Sequence, residues 1–134
     1  MKTSILLAAL TLIAACAATP EIPADTVAVR DYIEVGELVQ VDQVRTHGSD
    51  AWAPLTRHFA MYKGRDGNVL LEFARVCHEM YDNTSITPDW RYDHNVMRRR
   101  IDTLRGCRID RMYPLTEAQV LEIEALVKTA GRGN

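Results

Sequence analysis

The chain predicts an α+β fold: an antiparallel sheet of four to six strands with a C-terminal helix packed on one face. Three stretches carry that expectation. They are the hairpin pattern of "FAMYKGRDGNVLLEFA" at 59–74, the alternating "CRIDRMY" at 107–113, and the capped, amphipathic "PLTEAQVLEIEALVKTAGRGN" that follows. A small β-barrel plugged by the same helix is the alternative, since it also sets the helix's apolar stripe against strands.

The N-terminus stands apart from that fold. Residues 5–15 form an uncharged apolar run behind Lys2, the pattern of a secretory leader. Eleven residues are too few to span a bilayer, which takes about 20. Ile13-Ala14-Ala15-Cys16 resembles the bacterial lipobox, in which small residues admit the scissile bond to a peptidase and the cysteine thiol takes a diacylglyceryl group. Ala17 follows where the sorting pattern of Gram-negative lipoproteins would use Asp for retention, so the resemblance points to the outer membrane. Residues 17–29 hold two prolines and no sustained periodicity, as a tether does. The expected organisation is a leader at 1–15, a lipid anchor and flexible tether at 16–29, and one folded domain at 30–134.

Residues 30–47 are rich in β-branched side chains, with Ile33 and Val35 and then Val39 and Val41 alternating about Gly36. One or two strands bent at Gly36 fit best, although Leu38, Val41 and Val44 also mark a helical stripe. "GSDAWAPLTRH" reads as a turn and a short irregular or helical piece stopped by Pro54. In the hairpin, a type I′ turn centred on Asp66-Gly67 opposes Tyr62 to Leu71 and Ala60 to Phe73, with Val69 on the same apolar face. Lys63, Met61 and Glu72 then fall on a half-exposed face. Residues 78–95 form a long polar excursion, and 96–105 suit either strand or helix. In the last segment Thr116 is the N-cap and Gln119 completes a capping box. Leu115 can staple to Val120, while Val120, Ile123, Leu126 and Val127 form the stripe and Gly131 ends the helix.

Setting Cys16 aside as the anchor leaves Cys77 and Cys107 as an even pair enclosing 30 residues of sequence separation. A bridge there contributes roughly 3 to 4 kcal/mol in the chain-entropy treatment. A zinc site from Cys77, His78, Cys107 and His94 would need reduced thiols and adjacent ligands that diverge on an extended chain, so no metal and no cofactor is expected. The loop "TPDWRYDHN" gathers Asp89, Trp90, Arg91, Tyr92, Asp93 and His94, a mixture of carboxylates, a general base and stacking surfaces suited to ligand binding. The same residues also suit turns, caps and cover for the core edge. Arg98, Arg99 and Arg100 make a patch for an anionic partner, unless acidic and basic segments neutralise each other across strands. His47 and His58 have no partner visible in the sequence.

"DYIEV", "TPDWRYDHN", "IDTLRGCRI" and "YPLTEAQ" resemble a family of small, uncharacterised proteobacterial lipoproteins known only as a domain of unknown function. The likeness covers roughly residues 30–128, and it implies an envelope lipoprotein with a disulfide but supplies no activity. Without the leader, 15 basic face 18 acidic side chains, which argues against a nucleic-acid partner. The sequence names no reaction. Its expected role is a structural or interaction module at the periplasmic face of the outer membrane, joined to the membrane through Cys16 and to an envelope protein partner. A periplasmic small-ligand binder using the 87–95 loop is the alternative, and a small hydrolase using Asp89, Asp93 and His94 a further one.

Overall fold

The hairpin expected at 59–74 is the centre of the sheet. A computed structural model describes residues 21–47, 51–80 and 88–133. The expected leader at 1–15 and Cys16 lie outside the described residues. Helix α1 (Ala24–Val35) comes first, followed by strands β1 (Gln43–Arg45), β2 (Ala51–Pro54), β3 (Phe59–Gly64) and β4 (Gly67–Phe73). After a 3-10 turn at His78–Met80 come β5 (Pro88–Asp89), β6 (Val96–Arg98), β7 (Thr103–Leu104), β8 (Cys107–Leu115) and helix α2 (Glu117–Ala130). The main sheet has the order β2-β3-β4-β8-β7-β5, every neighbour antiparallel, and curls into a half-barrel. Strands β1 and β6 pair separately as a two-stranded ribbon.

The sheet has a core on each face. Ala60, Tyr62, Val69, Leu71 and Phe73 point to one side with Met97, Ile109 and Met112, and Val41 and Val44 pack against them. The Val41 N–H donates to the Met112 carbonyl at 2.9 Å, so the ribbon is bound over this face. Phe59, Met61 and Leu70 point to the other side, where Val29 of α1 and Val120 and Ile123 of α2 cover them. The α+β expectation holds with six strands in the main sheet, and α2 lies on one face instead of plugging a barrel.

Local chemistry sets the helix ends. The α2 capping box is present: Thr116 Oγ1 accepts the Gln119 N–H, and the Gln119 side chain accepts the Thr116 N–H. Helix α1 begins after Pro23, with Asp25 in its first turn. It ends in a Schellman arrangement, in which the Leu38 N–H donates to the Ile33 carbonyl and the Glu37 N–H to the Glu34 carbonyl. Glu37 carries the positive φ of 47° that this motif demands.

Several expectations need correction. Residues 24–35 are helical, so the strand expected from residue 30 is absent and six residues assigned to the tether, 24–29, belong to the fold. Burial of Thr26 and Val29 at a spacing of three outweighs the β-branched composition, because tertiary packing overrides propensity. Gly36 is a true break, but it caps a helix. Residues 51–54 form an edge strand, where Pro54 is tolerated. The 96–105 stretch is neither one strand nor one helix: β6 and β7 flank a turn in which Arg100 has φ 64°.

The hairpin pairs Tyr62 with Val69 and Ala60 with Leu71, two residues from the expected register, with Arg65-Asp66 at the turn's centre and Gly67 (φ 140°) after it. A shift of two keeps side-chain parity, so the expected apolar face is intact. Its opposite face is not half-exposed: Met61 and Glu72 are buried there by the helices. A bulge between the pairs Glu72–Arg111 and Phe73–Ile109 leaves Asp110 extra. The alternation of β8 therefore reverses there, burying Met112 and exposing Arg111. On α2, Leu126 is 38% exposed and departs from the buried stripe.

Candidate functional site

Cys77 and Cys107 form a disulfide with Cα atoms 5.9 Å apart, both fully buried. Both sulfurs are thereby consumed, and the Cys77, His78, Cys107 and His94 zinc set has no thiolate to offer. The bridge fixes the start of the polar excursion to the first residue of β8.

The six loop residues are divided among three tasks. Asp89 Oδ2 accepts from Thr103 Oγ1 at 3.1 Å and from the Gly106 N–H at 3.2 Å, closing the turn between β7 and β8. Trp90 and His94 stack on each other, rings 5.5 Å apart and 9° from parallel, and Trp90 leans on the core. Tyr92 is 69% exposed with the Arg91 guanidinium 6.0 Å above its ring. Asp93 accepts the Asn95 N–H at 2.9 Å. Among the described residues no hydrogen bond joins Asp89, Asp93 and His94 to one another. A concavity of about 350 Å³ beside the loop is lined by Arg45, His47, Asp93, Asn95 and Val96, so only one of the six loop residues faces it.

The three arginines also separate. Arg99 pairs with Asp42 across the ribbon, and Arg100 pairs with Asp110 at 3.1 Å. Arg98 projects from β6 opposite Gln43, and its Nη1 is buried without an acceptor. Neutralisation between acidic and basic segments thus accounts for two of the three.

A further apolar surface lies on the helix layer. A groove of about 560 Å³ runs between α1 and α2, lined by Ala28, Asp31, Tyr32, Val35, Glu122 and Leu126, and a second hollow of about 430 Å³ continues it past Ala125 and Thr129. Tyr32 donates its phenolic hydrogen to Glu122 at 2.5 Å across the groove. That hydrogen bond, with burial behind it, pushes the Tyr32 pKa up to about 12. Val35 is 85% exposed, and Val27, Val39, Leu121 and Leu126 are exposed on or beside the same layer. The sequence profile of a family of unknown function, DUF6491, matches residues 1–131. The chain belongs to the DUF6491 family. Comparison with curated proteins and with solved structures gives no match.

Two further polar arrangements in this DUF6491 fold were not legible from spacing. Buried Glu72 receives Arg30 of α1 at 3.3 Å and Arg111 of β8 at 3.6 Å. Beside it Thr26 Oγ1 donates to Thr56 Oγ1 and lies 3.4 Å from His58 Nδ1. Burial, reinforced by the Arg30 charge, holds the His58 pKa below its ordinary value. The second arrangement is Asp102, buried in the turn before β7, which accepts the N–H groups of Arg91 at 2.7 Å and Arg98 at 2.6 Å. Asp102 thereby ties the aromatic loop to the ribbon. The one signal available was an acid in an otherwise basic, turn-rich stretch.

Proposed function

We propose that the chain is a lipid-anchored envelope protein whose domain serves as an interaction module. Ile13-Ala14-Ala15-Cys16 would anchor it at the periplasmic face of the outer membrane. The α1–α2 groove is the observation that carries the module reading. Its walls are Ala28, Val35 and Leu126, its polar residues include Asp31 and Glu122, and no lysine or arginine lines it. Such a trough complements a segment that is apolar on one side and basic beside it, the helix-in-groove mode of recognition. No helix among the described residues is long and apolar enough to cross a membrane, so attachment would rest on Cys16.

Two measurements test this. Cys16→Ser is expected to move the protein from the membrane to the soluble fraction, and unchanged fractionation would remove the anchor. A photo-crosslinking residue at position 35 is expected to capture a discrete envelope partner, and Leu126→Asp to abolish that capture. Equal capture from position 92, on the opposite, loop-bearing part of the sequence, would remove the groove as the docking surface.

A further inference from the structure

The outward face of the β1–β6 ribbon holds two cationic side chains, Arg45 and Arg98, that have no acidic partner among the described residues. Val44 and Met97 are opposite each other and turn toward the core. The flanking pairs, Gln43 with Arg98 and Arg45 with Val96, therefore project outward together. Arg45 and Arg98 are diagonal neighbours on that face, a geometry that brings long side chains within reach of each other, with Cα atoms about 7–8 Å apart. Like charges so placed repel. Strand pairs ordinarily oppose such residues with a carboxylate, and here none is supplied.

Among the described residues two carboxylates border these arginines, Asp42 beside Arg98 and Asp93 beside Arg45, and each has a partner of its own. Asp42 pairs with Arg99, and Asp93 accepts the Asn95 N–H. Arg45 makes no ion pair among the described residues, while Arg98 keeps a buried Nη1 with no acceptor. A desolvated guanidinium nitrogen without an acceptor is unusual, because buried donors are nearly always satisfied. Each arginine also borders a hollow of about 350 Å³: Arg98 with Asp42, Gln43, Arg99, Arg100 and Ile101, and Arg45 with His47, Asp93, Asn95 and Val96.

We propose that this ribbon face binds a phosphate group held between Arg45 and Arg98. A tetrahedral phosphate presents oxygens in more than one direction, so it can meet two guanidinium forks at once, whereas a carboxylate matches a single fork. Gln43 and Asn95 stand at the margins as further donors. The site is separate from the α1–α2 groove and stands or falls independently of it. The phosphate can belong to a soluble phosphate compound or to a lipid headgroup, and the two probes below differ in whether the phosphate is unesterified or a diester.

The test is calorimetric titration of the full-length protein in detergent micelles with two probes, inorganic phosphate and the water-soluble diester glycerophosphoglycerol. Saturable binding of at least one probe is expected, weakened tenfold or more by Arg45→Gln and by Arg98→Lys. Lys63→Gln, which breaks the pair with Glu124 of α2, is expected to leave binding unchanged. Preference for inorganic phosphate assigns a soluble ligand; preference for the diester assigns a lipid headgroup. Arg45 is exposed, so its variant keeps the test decisive should the Arg98 variant fold poorly. Absence of saturable binding to both probes, or affinity unchanged in Arg45→Gln, overturns the site.

Discussion

The Tyr62 ring lies directly over Gly64, so that a Cβ at position 64 would fall 2.2 Å from the phenolic oxygen. Tyr62 also accepts the His47 N–H at 3.2 Å and packs on Trp52, 4.5 Å between ring centres. The ring cannot retreat without losing those contacts. Gly64→Ala is therefore expected to destabilise the fold by about 1–3 kcal/mol, the range for overpacking a filled site. Gly131→Ala, where a Cβ meets nothing within 4 Å, should change stability by no more than about 0.5 kcal/mol. Urea unfolding of the two variants checks the contrast, and equal midpoints would show that the ring yields freely.

Glu37 occupies the left-handed position that ends α1, with φ 47°. A side chain there costs roughly 1–2 kcal/mol, which glycine avoids while gaining some freedom in the unfolded chain. Glu37→Gly is expected to raise stability by about 0.5–1 kcal/mol. An unchanged or lowered thermal midpoint would count against the Schellman cap as the constraint.

The Cys77–Cys107 bridge has a sequence separation of 30. Its loss should cost about 3–4 kcal/mol. The double Cys77→Ser, Cys107→Ser variant, compared with the oxidised parent by denaturant unfolding, should show that deficit. The parent in reductant should fall to the same level, and a reductant-insensitive midpoint would argue that the bridge adds nothing.

Removing the Asp102 carboxylate leaves two backbone donors, those of Arg91 and Arg98, without their acceptor. Asp102→Ala is expected to cost about 3 kcal/mol, given that each unsatisfied buried group costs roughly 1–3. Amide exchange at Arg91 and Arg98 should accelerate more than exchange at Leu70, in the sheet's centre. A uniform acceleration would point to global loss without a local tie.

His58 titrates below 6.5 because burial and Arg30 disfavour its charged form, while Glu72 and Asp25 oppose the shift. The unfolded chain takes up a proton at the ordinary histidine value, so it binds more protons than the fold between the two values. This contribution to stability is present above about 6.5 and is lost as pH falls toward the lower folded value. An imidazole titration by NMR should give a midpoint below 6.5, raised in Arg30→Gln. A midpoint at or above the ordinary value would contradict the buried arrangement.

The parts of the fold that were readable in sequence are those specified by neighbours in the chain. Thr116 and Gln119 announce α2 because a capping box closes over four residues. The hairpin face is readable because parity survives a two-residue slip. Helix α1 was misread since its start has no side-chain cap bond, and its β-branched residues become helical only through burial of Val29 against the sheet. Strands of two or three residues such as β5, β6 and β7 are too short to show a period. For the candidate sites the same limit applies. Arg98, Arg99 and Arg100 look like one patch in sequence, but strand geometry and a left-handed turn send Arg99 to Asp42 and Arg100 to Asp110 and leave Arg98 with a buried Nη1 that has no acceptor. Tyr32 and Glu122 meet only because two helices 90 residues apart in sequence lie side by side.

Helix α1 begins at Ala24, leaving seven residues, 17–23, between Cys16 and the first helical turn. Even fully extended, such a leash reaches only about 25 Å, less than the roughly 30 Å width of a small domain. A domain held at Cys16, as proposed above, would patrol a thin zone above the bilayer. Under the proposed anchoring, its encounters would be confined to molecules embedded in or resting on the same leaflet, and it would not stretch across to a distant layer of the envelope.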